Sequence, residues 1–192
     1  MFKRISFMLE KIANVAVIIV SIVVVFIVAR DWKRPSGPQQ QAVGSWTYIG
    51  KSIVLPADSD SAKVQTAVVL GLSMQCQFCT RGIPFYRRLQ SARDASHGRL
   101  KMYAYFREAK DDVGKEVSAW GLAPDATMAG TPRGVSINST PTVLITDAKG
   151  VVRKAWIGLL DTKGEDDLLT ELMHRCGNCF ALTDINKDMK ND

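Results

Sequence analysis

The stretch from Thr66 to Cys79 constrains the fold more than any other part of the chain. Thr66-Ala67-Val68-Val69-Leu70-Gly71-Leu72 is a short, β-rich apolar run, the composition of a strand covered on both faces. Cys76 and Cys79 follow it, separated by two residues. From Cys79 to Ala95 a helical pattern follows, with Ile83, Phe85, Tyr86 and Leu89 on its apolar side. A dithiol therefore sits where a strand ends and a helix begins. Free backbone N–H groups and the helix dipole favour a thiolate there. Pro84 predicts a kink or a restart in the helix. Arg81, Arg87, Arg88 and Arg93 read as its solvated face.

The residues downstream supply the rest of an α/β pattern. Leu100 to Phe106 alternates, with Leu100, Met102, Ala104 and Phe106 set against Lys101, Tyr103 and Tyr105, which predicts a second strand. Asp111 to Leu122 reads as a helix with acidic residues in its first turn and Gly121 near its end. Residues 124–137 read as irregular. Ser139 to Gly158 holds two β-rich runs separated by the turn sequence Asp147 to Gly150, an antiparallel hairpin. Asp161 to Arg175 closes the pattern as a helix with Leu168, Leu169, Leu172 and Met173 on one face. Upstream, Trp46 to Leu55 has room for one or two short strands.

The N-terminus is of a different character. Ile12 to Ala29 carries no charge, and its only polar residues are Asn14 and Ser21. As a helix it would extend ~27 Å, close to the ~30 Å hydrocarbon thickness of a bilayer. No small-x-small cleavage site follows it, since the exit reads Val28-Ala29-Arg30-Asp31-Trp32, so an uncleaved anchor is expected rather than a cleaved signal. The expected division is a membrane anchor at 1–30, a polar linker at 31–44, a folded domain at 45–180 and a polar tail at 181–192. Three Lys/Arg flank each side of the apolar run, so the positive-inside rule is evenly balanced. A short N-terminus ahead of a large domain favours a body outside the cytoplasm. The formal charge of +6 is concentrated around the apolar run, and no basic cluster interleaved with aromatics occurs in the body, which argues against nucleic acid binding.

The order strand, helix, strand, helix, strand, strand, helix, with Cys76-x-x-Cys79 after the first strand and Thr140-Pro141 before the hairpin, resembles the thioredoxin superfamily. The turn at Asp147 to Gly150 and the strand ending in Gly158 look like the closing hairpin of its membrane-tethered members. The resemblance spans about Thr66 to Arg175. It implies a thioredoxin-like fold, a central mixed sheet flanked by helices, and a thiol–disulfide oxidoreductase. It also implies Cys76 as the exposed nucleophile, Cys79 as the resolving thiol, and a cis bond at Thr140-Pro141 beside the sulfurs, where Thr140 meets an extended substrate. Its partners would be protein thiols and disulfides and a redox partner that recycles the dithiol. No organic cofactor is implied. Three positions depart from the pattern: Gln75 replaces a Trp, Gln77-Phe78 replace x-Pro between the cysteines, and Leu70 occupies the place of thioredoxin's buried acid.

Cys176 and Cys179 form a second pair at the end of the last helix, with Gly177-Asn178 as a turn. A local structural disulfide, a second redox pair that shuttles electrons with the first, a metal site and unpaired thiols are the readings open to it. Neither pair is followed by His, which excludes haem attachment. A four-cysteine zinc site has acceptable local spacing but would consume the dithiol, and no metal is expected. The competing function is a non-catalytic binding or assembly module, for protein or metal, with both pairs structural. His97 is expected in a solvated turn and His174 at a helix C-terminus, where a cation suits the dipole. Trp46, Trp120 and Trp156 are expected in the core or at an interface.

Overall fold

The computed structural model describes residues 45–56, 63–108, 110–182 and 185. The expected anchor at 1–30, the linker at 31–44 and most of the tail lie outside the described residues. Among the described residues no helix is long and apolar enough to cross a membrane.

Among these residues five strands form one sheet: β1 (Thr66–Leu72), β2 (Leu100–Phe106), β3 (Ala126–Ala129), β4 (Thr142–Asp147) and β5 (Val152–Ile157), in the order β3-β2-β1-β4-β5. β1 pairs parallel with β2, and β2 with β3; β4 runs antiparallel to both β1 and β5. The helices are α1 (Gln77–Arg81), α2 (Ile83–Ala95), α3 (Lys110–Ala119) and α4 (Thr162–Arg175). Every residue of β1 is buried, as an apolar run in a central strand requires. Its side chains alternate between two cores. Val68, Leu70 and Leu72 pack with Phe85, Leu89, Phe106, Leu168, Leu169 and Leu172. Ala67 and Val69 pack on the other face with Tyr103, Tyr105, Leu144 and Val152. The register pairs Leu72 with Phe106, so β1 and β2 end side by side. That coincidence positions the site.

The expected single helix from Cys79 is two. Pro84 sits in the first turn of α2, where its missing N–H is tolerated, and Gly82 joins the two segments. Residues 124–137, read as irregular, contain β3. Its Ala-Thr-Met-Ala sequence is short and only partly buried, so the alternation is too weak to read. The helix read over Asp111 to Leu122 ends at Ala119, where Gly121 takes a positive φ of 66° and Leu122 N–H returns to the Val117 carbonyl.

One side-chain expectation is corrected. Arg88 is not solvated: it is 8% exposed, and its guanidinium meets Glu165 at 2.9 Å and Asp166 at 2.7 Å, both arriving from α4. Trp46 is 71% exposed, whereas Trp120 is buried against Phe106. Phe180 and Ile185 are buried and Leu182 packs on the same core, which therefore extends past residue 180.

Residues 45–55 form a 3-10 turn (Ser45–Thr47) and a single bridge from Ser52 to Val151 rather than strands. The segment is nonetheless pinned along its length. Gly50 N–H donates to the Val152 carbonyl, Ile53 N–H to Gly150, and Val54 N–H to Arg133. Two glycines permit this approach. A Cβ at Gly134 would lie 2.1 Å from the Ser52 carbonyl oxygen, and one at Gly150 would lie 2.2 Å from that of Ile53.

Candidate active site

β1 ends at Leu72, and the chain turns through Ser73 to Cys76, which caps α1. The Cys76 backbone is extended (φ −91°, ψ 105°), and its carbonyl accepts hydrogen bonds from the N–H groups of Cys79 (2.9 Å) and Thr80 (3.2 Å). Its sulfur accepts a further bond from Cys79 N–H at 3.3 Å and donates to the Thr140 carbonyl at 3.3 Å. Cys76 is half-buried, while Cys79 is 0% exposed. The Thr140–Pro141 bond is cis. Antiparallel pairing of β4 with β1 sets Thr142 opposite Gly71, which brings Thr140-Pro141 to the end of β1, and Gly158 N–H holds the Pro141 carbonyl at 2.7 Å. Cys76, Cys79, Thr140 and Pro141, widely separated in sequence, are thus brought together.

The two thiols are in different states. Burial raises the Cys76 pKa, but hydrogen bonds from Cys79, Thr140 and the backbone N–H of Phe78 outweigh it, and the thiol lies below the ordinary 9.0. Burial pushes Cys79 up to about 12, with the hydrogen bond to Cys76 adding to the rise. Only a thiolate attacks. Alkylation of the reduced protein by iodoacetamide is therefore expected at Cys76 alone. Its rate should fall as pH drops through a midpoint below 9.0, with Cys79 untouched under native conditions; peptide mapping after a pH series checks both. Labelling of Cys79 first would contradict the assignment.

Phe78, between the two cysteines, is 43% exposed beside the reactive sulfur. One cleft next to Pro141 is lined by Gly82, Phe85, Tyr86, Gly158 and Glu165. Another, next to Thr140, is lined by Tyr105, Arg107, Gly130 and Thr131. Leu70, in the place of an acid in the resembled family, is fully buried in the core. The carboxylate near the dithiol is instead Glu108, which sequence reasoning missed. Its Oε1 accepts from the Ser73 hydroxyl at 2.6 Å and from Met74 N–H at 3.0 Å. Burial works against its charge, but the Ser73 hydroxyl and nearby backbone N–H groups hold its carboxyl below the usual range. The one signal available was its place, two residues past the end of a predicted strand.

Cys176 and Cys179 are disulfide-bonded and buried. They lie at the opposite end of the sheet. The Gly177 carbonyl accepts from Arg99, and Gly177 approaches Gln65, residues that immediately precede β2 and β1. Cys76 lies past the far end of β1, so the pairs are separated by the strand's length, ~20 Å at ~3.3 Å per residue. Direct shuttling within one chain and a shared four-cysteine metal site both need contact, and this separation rules them out. The disulfide closes locally, over two residues at the end of α4. Replacing both cysteines with alanine is expected to leave exchange at Cys76 within about twofold of the wild type. By the loop-closure relation it should lower stability by about 2 kcal/mol. Urea titration and an exchange assay on the same preparation test both. His97 is exposed with a positive φ of 54°, and His174 is exposed in the last turn of α4, as the sequence implied.

No protein-family model and no curated protein matches the sequence. Solved structures do match the fold. One, from Chlorobium tepidum, is described as a thiol:disulfide interchange protein DsbE: TM-score 0.52, 15% identity, covering 67% of this chain and 99% of that one. Another, described as a protein disulfide isomerase from Bacteroides thetaiotaomicron, aligns with TM-score 0.53 and 12% identity over 67% and 90% of the two chains. A third, described as a thioredoxin from Neisseria meningitidis, aligns with TM-score 0.51 and 17% identity over 64% and 81%. At such identities the similarity concerns architecture: the described residues adopt the thioredoxin-like fold, a mixed sheet flanked by helices, with Cys76-x-x-Cys79 at the end of its central strand.

Proposed function

We propose that the protein is a membrane-anchored thiol–disulfide oxidoreductase that acts on protein cysteines outside the cytoplasm through Cys76 and Cys79. The observation that carries the redox part is the asymmetry of the two thiols. Cys76 is reachable and stabilised as a thiolate by the Cys79 N–H, while Cys79 is sealed behind it with its proton retained. A structural or metal-holding pair has no need of that division.

In the reducing direction, the Cys76 thiolate attacks one sulfur of a substrate disulfide. A mixed disulfide forms and one substrate thiolate leaves. Cys79 then loses its proton to solvent and attacks the Cys76 sulfur. The second substrate thiolate leaves and the Cys76–Cys79 disulfide remains. Two electrons have passed to the substrate, and a redox partner must return them. The same steps run backwards oxidise a substrate dithiol. Thr140-Pro141 supplies an edge against which an extended substrate lies, and the exposed Phe78 gives that edge an apolar contact. The names of the solved structures with this fold support the same chemistry. The anchor rests on the uncharged run Ile12 to Ala29, and the buried Cys176–Cys179 disulfide suits an oxidising compartment outside the cytoplasm.

The reduction potential of the Cys76/Cys79 couple, measured against a glutathione series, tests the proposal and sets the direction. A titratable two-electron couple that disappears in Cys76→Ser supports it. Failure of the pair to cycle with any thiol buffer would overturn it in favour of a binding module. Recovery of the full-length chain in membranes, with the domain accessible to protease only from outside, tests the placement.

A further inference from the structure

Two clefts flank the Thr140–Pro141 edge, and their charges are in different states. On the Pro141 side the charged group is Glu165. Its carboxylate already meets the Arg88 guanidinium at 2.9 Å, so it has little left to offer a ligand. On the Thr140 side the cleft is lined by the apolar side chains of Leu72 and Ile137, by Tyr105 and by Arg107. Arg107 is the one charged residue among those that line it. The sheet places it there. β2 ends level with β1, at Phe106 and Leu72, and the Arg107 N–H extends the pairing by donating to the Leu72 carbonyl at 3.1 Å. Antiparallel β4 brings Thr140 to the same end.

The Arg107 charge is uncompensated. The residue is exposed, and no ion pair joins it to another described residue. Its guanidinium makes one long hydrogen bond, 3.4 Å, to the Asn138 carbonyl. Glu108, next in sequence, has its carboxylate engaged by the Ser73 hydroxyl and Met74 N–H instead. A guanidinium presents several N–H donors in a planar fork that matches a carboxylate, and one carbonyl leaves most of them free. The reacting sulfur is close by. Cys76 Sγ lies 3.3 Å from the carbonyl of Thr140, a residue that lines the same cleft.

We infer that Arg107 is a specificity-determining residue, which selects substrates that carry an aspartate or glutamate within two residues of the cysteine under attack. This rests on the dithiol reading above. A substrate extended along Thr140 advances ~3.3 Å per residue, so a side chain one or two positions from its cysteine falls beside the cleft. A carboxylate there pairs with Arg107 through two parallel hydrogen bonds, whereas a lysine brings a like charge. The pair forms at the surface. Its effect therefore falls on encounter and binding rather than on the exchange of sulfur bonds, and salt weakens it. The cleft on the Pro141 side exerts no comparable selection, because Arg88 already neutralises Glu165.

The full chain, with the dithiol reduced, can be mixed with short peptides whose single cysteine is blocked as the uncharged 2-thiopyridyl disulfide. Asp, Ala or Lys is placed beside that cysteine, on one side or the other. The Cys76 thiolate bonds to the peptide sulfur, the disulfide breaks, and pyridine-2-thiolate leaves and takes a proton from solvent. The absorbance of the resulting pyridine-2-thione gives a second-order rate constant. Dividing it by the rate of 2-mercaptoethanol with the same peptide removes the peptide's own reactivity. On one side of the cysteine, the aspartate peptide is expected to react about fivefold faster than the lysine peptide at low salt, and less than about twofold faster at ~1 M salt. Arg107→Ala should bring that ratio near one, Arg107→Glu should invert it, and Arg107→Lys should retain most of it. Arg153, which pairs with Asp147 at the opposite end of β4, supplies the control: Arg153→Ala should keep the wild-type ratio. Equal rates for the aspartate and lysine peptides on both sides would overturn the assignment, as would a wild-type ratio in Arg107→Glu. Absence of any Cys76-dependent release, with the alanine peptide as with the others, would overturn the dithiol reading itself, a result distinct from either.

Discussion

Cys76→Ser is expected to abolish thiol–disulfide exchange, a loss of about a thousandfold or more, because a serine hydroxyl is not ionised at neutral pH and the step has no other reachable nucleophile. Cys79→Ser should behave differently. Attack by Cys76 still occurs, but the buried residue that would release the substrate is gone, and a mixed disulfide accumulates. Non-reducing electrophoresis after incubation with a disulfide-bonded protein such as insulin should show the adduct in Cys79→Ser and in no variant lacking Cys76. The exposures dictate this division, since Cys79 is wholly covered and Cys76 is not. An adduct through Cys79, or turnover in Cys76→Ser, would reverse the roles assigned to the two sulfurs.

Gly150→Ala is expected to lower stability by about 3 kcal/mol or more. Two effects combine. The residue has a φ of +79°, which an L side chain resists, and its Cβ would lie 2.2 Å from the backbone oxygen of Ile53. Backbone cannot move aside as a flexible side chain can, so the segment around Ile53 would have to leave the hairpin. Gly98→Ala provides the control. Its φ is +83°, but nothing lies within 4 Å of the added atom, so only the conformational penalty of about 1 kcal/mol applies. Urea unfolding of the two variants measures the difference. Equal losses would mean that the close approach at Gly150 is relieved without consequence.

Much of this architecture could be read locally. β1, β2, the β4–β5 hairpin and α4 each carry a strong periodic or turn signal, and Asp147 shows why the hairpin signal is reliable. Its carboxylate accepts from the N–H groups of Lys149 and Val151, so the turn is written into four adjacent residues. What escaped reading is what depends on distant partners. Arg88 looked like a solvated helix residue because Glu165 and Asp166, which cover it, arrive from α4. Gly150 looked like an ordinary turn glycine and Gly134 lay in a stretch read as irregular, although the backbone they admit belongs to residues 53 and 52. Glu108 belongs to the same class: its bonds to Ser73 and Met74 exist only because two parallel strands end in register. β3 was lost for the opposite reason, since four half-covered residues carry too little pattern of their own.

The placement of the four cysteines has a consequence for how the chain matures. Each pair closes over two intervening residues, and the pairs lie at opposite ends of the central strand. A wrong pairing, such as Cys79 with Cys176, would have to close a loop of about a hundred residues against a far smaller entropic penalty for the neighbour, and would then have to span the folded sheet. Proximity along the chain therefore favours the two local pairings, and the distance across the folded sheet reinforces that preference. Oxidation at one pair is therefore expected to leave the other untouched, so that the proposed exchange at Cys76 would not scramble the chain's own disulfide.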